Sequence, residues 1–168
     1  MSGQTFEDQL NAALEAYEKG QAGKRDNRET ALNEEMQFLA NFVTVRAKEI
    51  RPALQKLGNK LRERDHDYSI TEGDFKPPHG ARAAADEAYI RMSIYLSHLK
   101  DRTRTEHSKV PYIHFETDHR IRKVKISVSD FTDAGGSITK LGEFDVTQLN
   151  PIFIGEKFLF LFVRLARK

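Results

Sequence analysis

His114, Glu116 and Asp118 stand at alternate positions of a segment whose intervening residues include Ile113 and Phe115. On a β-strand that spacing turns all three side chains to one face, about 7 Å apart at each step. An imidazole and two carboxylates would suit Zn²⁺, Mn²⁺ or Fe²⁺ if a neighbouring strand supplied a further ligand. The same three groups would also serve as an acid and base pair. The wet face of a half-buried sheet has this alternation too, with Glu116 opposite Lys123 and His114 beside Lys125. Ammonium groups so close oppose a cation, so the wet-face reading is preferred and no metal is expected. If the face does bind something, Tyr89, Arg91, Tyr95, His114, Glu116 and Lys125 are the side chains that would surround an anionic small molecule or a metal.

Asp65, His66 and Asp67 form a second cluster, in which a carboxylate would orient the imidazole as a general base. Its place at the end of a long helical pattern favours a polar junction near the negative end of the helix dipole. The most basic segment carries Lys100, Arg102 and Arg104, and with Arg120 and Arg122 it is the candidate surface for nucleic-acid phosphates. Aromatic residues for base stacking are absent from that loop, so the nucleic-acid reading ranks last. Near the C-terminus Phe158, Phe160 and Phe162 precede Arg164, Arg167 and Lys168, a pattern shared by interfacial membrane helices and by helices that cover a sheet. The second reading is preferred, because a one-sided sheet needs a cover.

Several chemistries lack their residues altogether. The chain has no cysteine, which removes disulfides, thiolate metal sites and cysteine nucleophiles. It has no Walker glycine loop, dinucleotide fingerprint, nucleophile elbow or His-Glu-x-x-His pair. No cofactor is expected, and a non-enzymatic role is favoured over catalysis. With 27 Lys and Arg against 25 Asp and Glu, the net charge of +2 makes no polyelectrolyte. The longest apolar run, Phe158 to Val163, is far short of the ~20 residues of a membrane span. With a polar, acidic N-terminus in place of an export signal, a cytoplasmic setting is expected.

The elements that must position these groups follow from periodicity. Phe6, Leu10, Ala13, Leu14 and Tyr17 predict a first helix over about residues 5–19, opened by Thr5 with Asp8 behind it and stopped by Gly20. Residues 21–28 then read as a turn, so that a second helix over about 27–64 folds back as a hairpin, capped by Asp26 and Glu29. Along it Leu32, Met36, Leu39, Val43, Ala47, Ile50, Leu54, Leu57 and Leu61 recur at an average of 3.6 residues. That is the period of a packed helix, whereas a coiled-coil seam repeats every ~3.5 residues. Pro52 predicts a kink or break near Ile50 and Arg51.

From Asp67 the period changes to alternation. Strands are predicted around Tyr68 and Ile70, over Ile90–Leu96, around Ile113 and Phe115, over Val124–Val128, and around Phe144 and Val146. If His119 and Arg120 form a hairpin tip, Phe115 faces Val124 and Ile113 faces Ile126, so both strands turn their apolar sides to one face. Asn150 and Pro151 predict a C-terminal helix through Leu165. The expected fold is α+β: a helical region over 1–65, then a mostly antiparallel sheet of four or five strands over 66–168, covered on one face by helices, the whole forming one cooperative domain.

The function expected from this pattern is self-association, as a dimer through the N-terminal helices, with another protein partner as the variant. Leu54, Leu57 and Leu61 are the expected contact, and Phe38 and Phe42 a second patch, because the helix carries more apolar surface than a small domain needs. A ligand-binding module on the polar sheet face is the alternative.

Overall fold

The computed structural model describes residues 5–99, 110–132 and 135–167. The chain divides into two compact units, residues 1–37 and 38–168. The described part of the first unit is helical, being the greater part of α1, which covers Phe6–Val45. Its start is a capping box. The Asp8 amide donates to Thr5 Oγ1 at 3.3 Å, and the Thr5 amide donates to Asp8 Oδ2 at 3.0 Å. The Thr5 hydroxyl also donates to Asp8 Oδ2, at 2.8 Å, and that bond first, with the Thr5 amide second, holds the Asp8 carboxyl below the usual carboxylate range.

The hairpin turn expected over residues 21–28 is helical instead. Gly20 and Gly23 each cost about 1 kcal/mol relative to Ala inside a helix, which weakens it without ending it. The rest of that segment is Gln, Ala, Lys, Arg, Asp and Asn with no proline, so nothing in it forces the helix to stop.

In the second unit the helix passes through a π-helical turn, Arg46–Ile50, into α2, Arg51–Arg62. Pro52 accounts for this. It lacks an amide hydrogen, and its ring would crowd the carbonyl four residues back. Widening the turn lets the Arg51 amide donate to the Arg46 carbonyl, five residues back, so the chain neither breaks nor loses its helical run. The wide turn also sets which side chains are buried. Phe38, Phe42, Arg46, Ile50, Leu54 and Gly58 recur every four residues, and all are buried. In a regular α-helix a four-residue step drifts about 40°, or about 200° over five steps. The extra residue per turn takes up part of that drift and keeps the line against the sheet.

Five strands follow: β1 Asp67–Gly73, β2 Tyr89–Tyr95, β3 Tyr112–Asp118, β4 Lys123–Ser129 and β5 Ile138–Phe144. They form one antiparallel meander in sequence order. Its apolar face holds Ile90, Met92, Ile94, Ile113, Phe115, Val124, Ile126 and Val128 in a core shared with α2 and with α3, Pro151–Ala166. Asn150 caps α3 by accepting from the Phe153 amide at 2.9 Å. The result is an α+β fold whose sheet is covered on one face.

Two details differ from the expected strands. Phe115 pairs with Ile126 and Ile113 with Val128, so the β3–β4 tip has four residues, His119–Arg122, instead of two. A two-residue tip needs positive φ of the kind Gly and Asn supply. His-Arg does not provide it, and the longer tip places the left-handed residue at Arg122, φ 54°. The shift is by two residues, so the apolar faces still coincide. Val146 lies past β5 in a short 3₁₀ turn, Val146–Gln148.

Candidate functional site

The apolar residues expected to make a contact are placed first. Leu54 and Leu61 are buried in the chain's own core, as are Phe38 and Phe42, and Leu57 packs half-buried beside them. This corrects the assignment of Leu54 and Leu61 as contact surface: α2 packs on β1 and α3, so these leucines are already covered. Apart from Val43, the exposed large apolar side chains of α1 lie earlier. Phe6 is 80% exposed, Leu10 47%, Leu14 49%, Tyr17 65%, Leu32 56% and Met36 61%.

A second uncovered apolar surface lies on α3. Ile154, Phe158, Leu161 and Leu165 face the core, while Ile152, Leu159, Phe160 and Val163 on the other side are exposed. Beside it, Leu57 and Leu61 of α2 and Phe158, Leu159 and Phe162 of α3 line a groove of about 690 Å³. Gly155 leaves open space there, and Lys60, Glu63 and Arg64 edge the groove.

The polar side of the sheet carries the groups that alternation predicts, in register. Arg91 pairs with His114, Tyr89 with Glu116, and Glu116 with Lys125. Arg91 Nε donates to His114 Nδ1 at 3.2 Å, and its guanidinium lies 4.1 Å from the Tyr112 ring centroid. Because Nδ1 accepts, the imidazole proton sits on Nε2, which donates to Glu116 Oε2 at 3.1 Å. Burial pushes the His114 pKa down and the Arg91 charge adds to this, against the opposing pull of Glu116. His114 is thus a neutral link in a hydrogen-bonded row, with both nitrogens engaged.

Asp118 does not join it. It pairs with Lys125 Nζ at 2.6 Å, and that bond lowers the Asp118 pKa while raising that of Lys125. Among the described residues no three His, Asp or Glu converge as metal ligands.

His114, Glu116 and Lys125 line a concavity of about 810 Å³ over β3 to β5, together with Ser127, Lys140 and Glu143. Tyr95 is elsewhere, sharing a hydrogen bond with Ser69 at 3.1 Å, and the Tyr89 ring lies tilted, 5.4 Å from that of His114, without lining the hollow. Ser127 follows the regular alternation of β4, two residues after Lys125, whereas Lys140 and Glu143 went unpredicted because β5 carries an irregularity. Ile126 pairs with Gly142 but Ser127 with Lys140, leaving Leu141 as the extra residue. Gly142 takes φ 131° there, and strict alternation fails across it.

The remaining clusters are tied into the fold. His66 Nδ1 accepts from the Ser97 amide at 3.1 Å, and Asp67 Oδ1 accepts from Arg62 Nε at 2.9 Å. Asp65, at φ 62°, lies in the turn between α2 and β1. Glu87 holds the β3–β4 tip, accepting from Thr117 Oγ1 at 2.7 Å and bonding His119 Nδ1. Arg120 and Arg122 are exposed in that tip. Lys100, Arg102 and Arg104 lie outside the described residues. Among the described residues no helix is long and apolar enough to cross a membrane.

Arg46 is the side chain that sequence reasoning missed. It is buried on the π turn, where Nη1 donates to the carbonyls of Gly73 at 2.7 Å and Tyr89 at 3.3 Å, and Nη2 to Asp74 Oδ1 at 2.6 Å. A side chain at Gly73 would overlap the Tyr89 ring, so glycine keeps this approach open.

No protein-family model, curated protein or solved structure matches the chain.

Proposed function

We propose that this chain is a non-enzymatic interaction protein that self-associates through its N-terminal helix α1. The supporting observation is that no side chain from Thr5 to Gln37 is buried, although Phe6, Leu10, Leu14, Tyr17, Leu32 and Met36 recur at helical spacing. A helix draws most of its stability from packing an amphipathic face, and an exposed stripe forgoes about 25 cal/mol for each Å² it would bury. A second copy is the partner always present at matched concentration, and closed homodimers are the commonest soluble oligomers.

Light scattering at micromolar concentration tests the reading. The expected mass is a dimer or larger, and Leu10→Glu with Leu14→Glu reduces it to that of one chain without altering the unfolding of the sheet. A single-chain mass for the unaltered protein would end the reading.

A second reading, a small-ligand module, is supported by the concavity that places Lys125, Lys140 and Ser127 beside Glu116 and Glu143. Calorimetric titration with small anionic and zwitterionic metabolites checks it, and heat that survives Lys140→Ala with Ser127→Ala would place the binder elsewhere.

A further inference from the structure

We propose that the acidic first turns of α1 from a second copy dock into the groove between α2 and α3. The inference rests on the self-association reading and names the surface that receives the helix. Three observations carry it. First, α3 is apolar on both sides: its inner residues are in the core, and Ile152 at 77% and Leu159 at 59% exposure are not. A helix apolar all round is one that becomes covered on both sides. Second, the groove beside it has the form that takes a helix, with Leu57, Leu61, Phe158 and Phe162 below and an open position at Gly155. Phe6, Leu10, Leu14 and Tyr17 supply anchors at steps of four, four and three residues, the spacing of helices bound in grooves.

The third observation is charge. From Phe6 to Glu18 the chain carries Glu7, Asp8, Glu15 and Glu18 and no Lys or Arg. The groove edge carries Lys60 and Arg64 against Glu63. A second groove laid on this one would set the Lys60 and Arg64 pairs against each other, whereas an acidic helix is complementary.

The absence of native cysteine makes a direct test available. Chains carrying only Leu10→Cys are mixed with chains carrying only Leu159→Cys and a distinguishing tag, then oxidised with diamide. The expected main product is the mixed covalent dimer. Predominance of either symmetric dimer, or no cross-link, would overturn the proposal. Charge reversal supplies an independent readout: Lys60→Glu with Arg64→Glu weakens association on the order of tenfold, and Glu15→Lys with Glu18→Lys in the same chain restores it. Unchanged association on reversal would count against the groove. Should the unaltered protein scatter as a dimer while Leu159→Glu keeps its full mass, this docking is wrong and self-association through α1 stands. A monomeric unaltered protein removes both.

Discussion

Replacing Arg46 by methionine tests how the helical run is fixed to the sheet in residues 38–168. The guanidinium donates to the Gly73 carbonyl at 2.7 Å and to Asp74 Oδ1 at 2.6 Å, with a longer bond to the Tyr89 carbonyl at 3.3 Å. A hydrogen bond from a charged donor to a buried backbone acceptor contributes about 1.5–3 kcal/mol. The Asp74 side chain is 78% exposed, so solvent screening holds its share to about 1 kcal/mol or less. Methionine keeps an unbranched stem near the Phe42 ring, so lost packing adds little. The expected loss is about 3 kcal/mol, which lowers the melting temperature by roughly 10 °C for a unit of this size. Urea unfolding followed by far-ultraviolet circular dichroism measures it, with the slope against urea unchanged. Arg46→Lys recovers less than half, since a point ammonium does not span Gly73 and Asp74 as a planar fork does. A loss below about 1 kcal/mol for Arg46→Met would refute the assignment of Arg46 as the tie between helix and sheet edge.

Two other variants probe the sheet and its helix. His114 stays neutral in the fold below its ordinary value of 6.5, because burial and Arg91 disfavour its charged form, so the unfolded chain takes up the proton first. Stability is therefore full above pH 6.5 and declines as pH falls below it, and His114→Gln removes that slope while leaving the decline below pH 3.8 that belongs to Asp118; parallel curves for the two proteins would show that His114 is not the group. Gly58→Ala should destabilise by about 1–3 kcal/mol despite alanine's better helix propensity, because its Cβ would overlap the Tyr68 ring. In a Tyr68→Ala background the sign should reverse, and a Gly58→Ala effect that is the same in both backgrounds would discount the overlap.

What could be read from the sequence followed the burial of side chains. Alternation in β2, β3 and β4 is legible because one face of each meets the core. A two-residue error in the β3–β4 register leaves that face unchanged, which is why parity identified the pairing of faces but not the length of the tip. The C-terminal helix is legible from Asn150 and Pro151, whose roles at a helix start are local. Three features were not. Continuity of α1 through Gly20 is a matter of weak propensities. The π turn adds a residue to the helical period, so a stripe read at 3.6 points to Leu32, Met36 and Val43, which are exposed, and passes over Arg46 and Gly58, which are buried. The bulge at Leu141 likewise hid Lys140 from an argument built on alternation.

The candidate site divides along the same line. His114, Glu116 and Lys125 were legible as neighbours because each lies on a regular strand. Their chemistry was not, since a hydrogen bond to each imidazole nitrogen depends on Arg91 and Glu116 adopting particular rotamers. His114 has both nitrogens bonded, and the Nδ1 atoms of His66 and His119 are held by the Ser97 amide and by Glu87, so all three imidazoles are tied into the fold.

The distribution of apolar residues along α1 bears on the proposed self-association. If the helix were a solvated spacer, nothing would keep Phe6, Leu10, Leu14 and Tyr17 on one side. If it were one strand of an unbroken coiled coil, the same side would stay apolar from Phe6 to Met36. It does not: Gln21, Lys24, Arg25 and Arg28 occupy that side in the middle of the helix. The stripe is therefore two patches. The first, Phe6 to Tyr17, is about 17 Å long at 1.5 Å per residue. A patch of that length, acidic at its edges, calls for a short receiving groove with basic edges, not for a second helix running alongside. Lys60 and Arg64 beside Leu57 and Leu61 would supply those edges, so under the proposed docking these two leucines would form the floor on which the anchors rest.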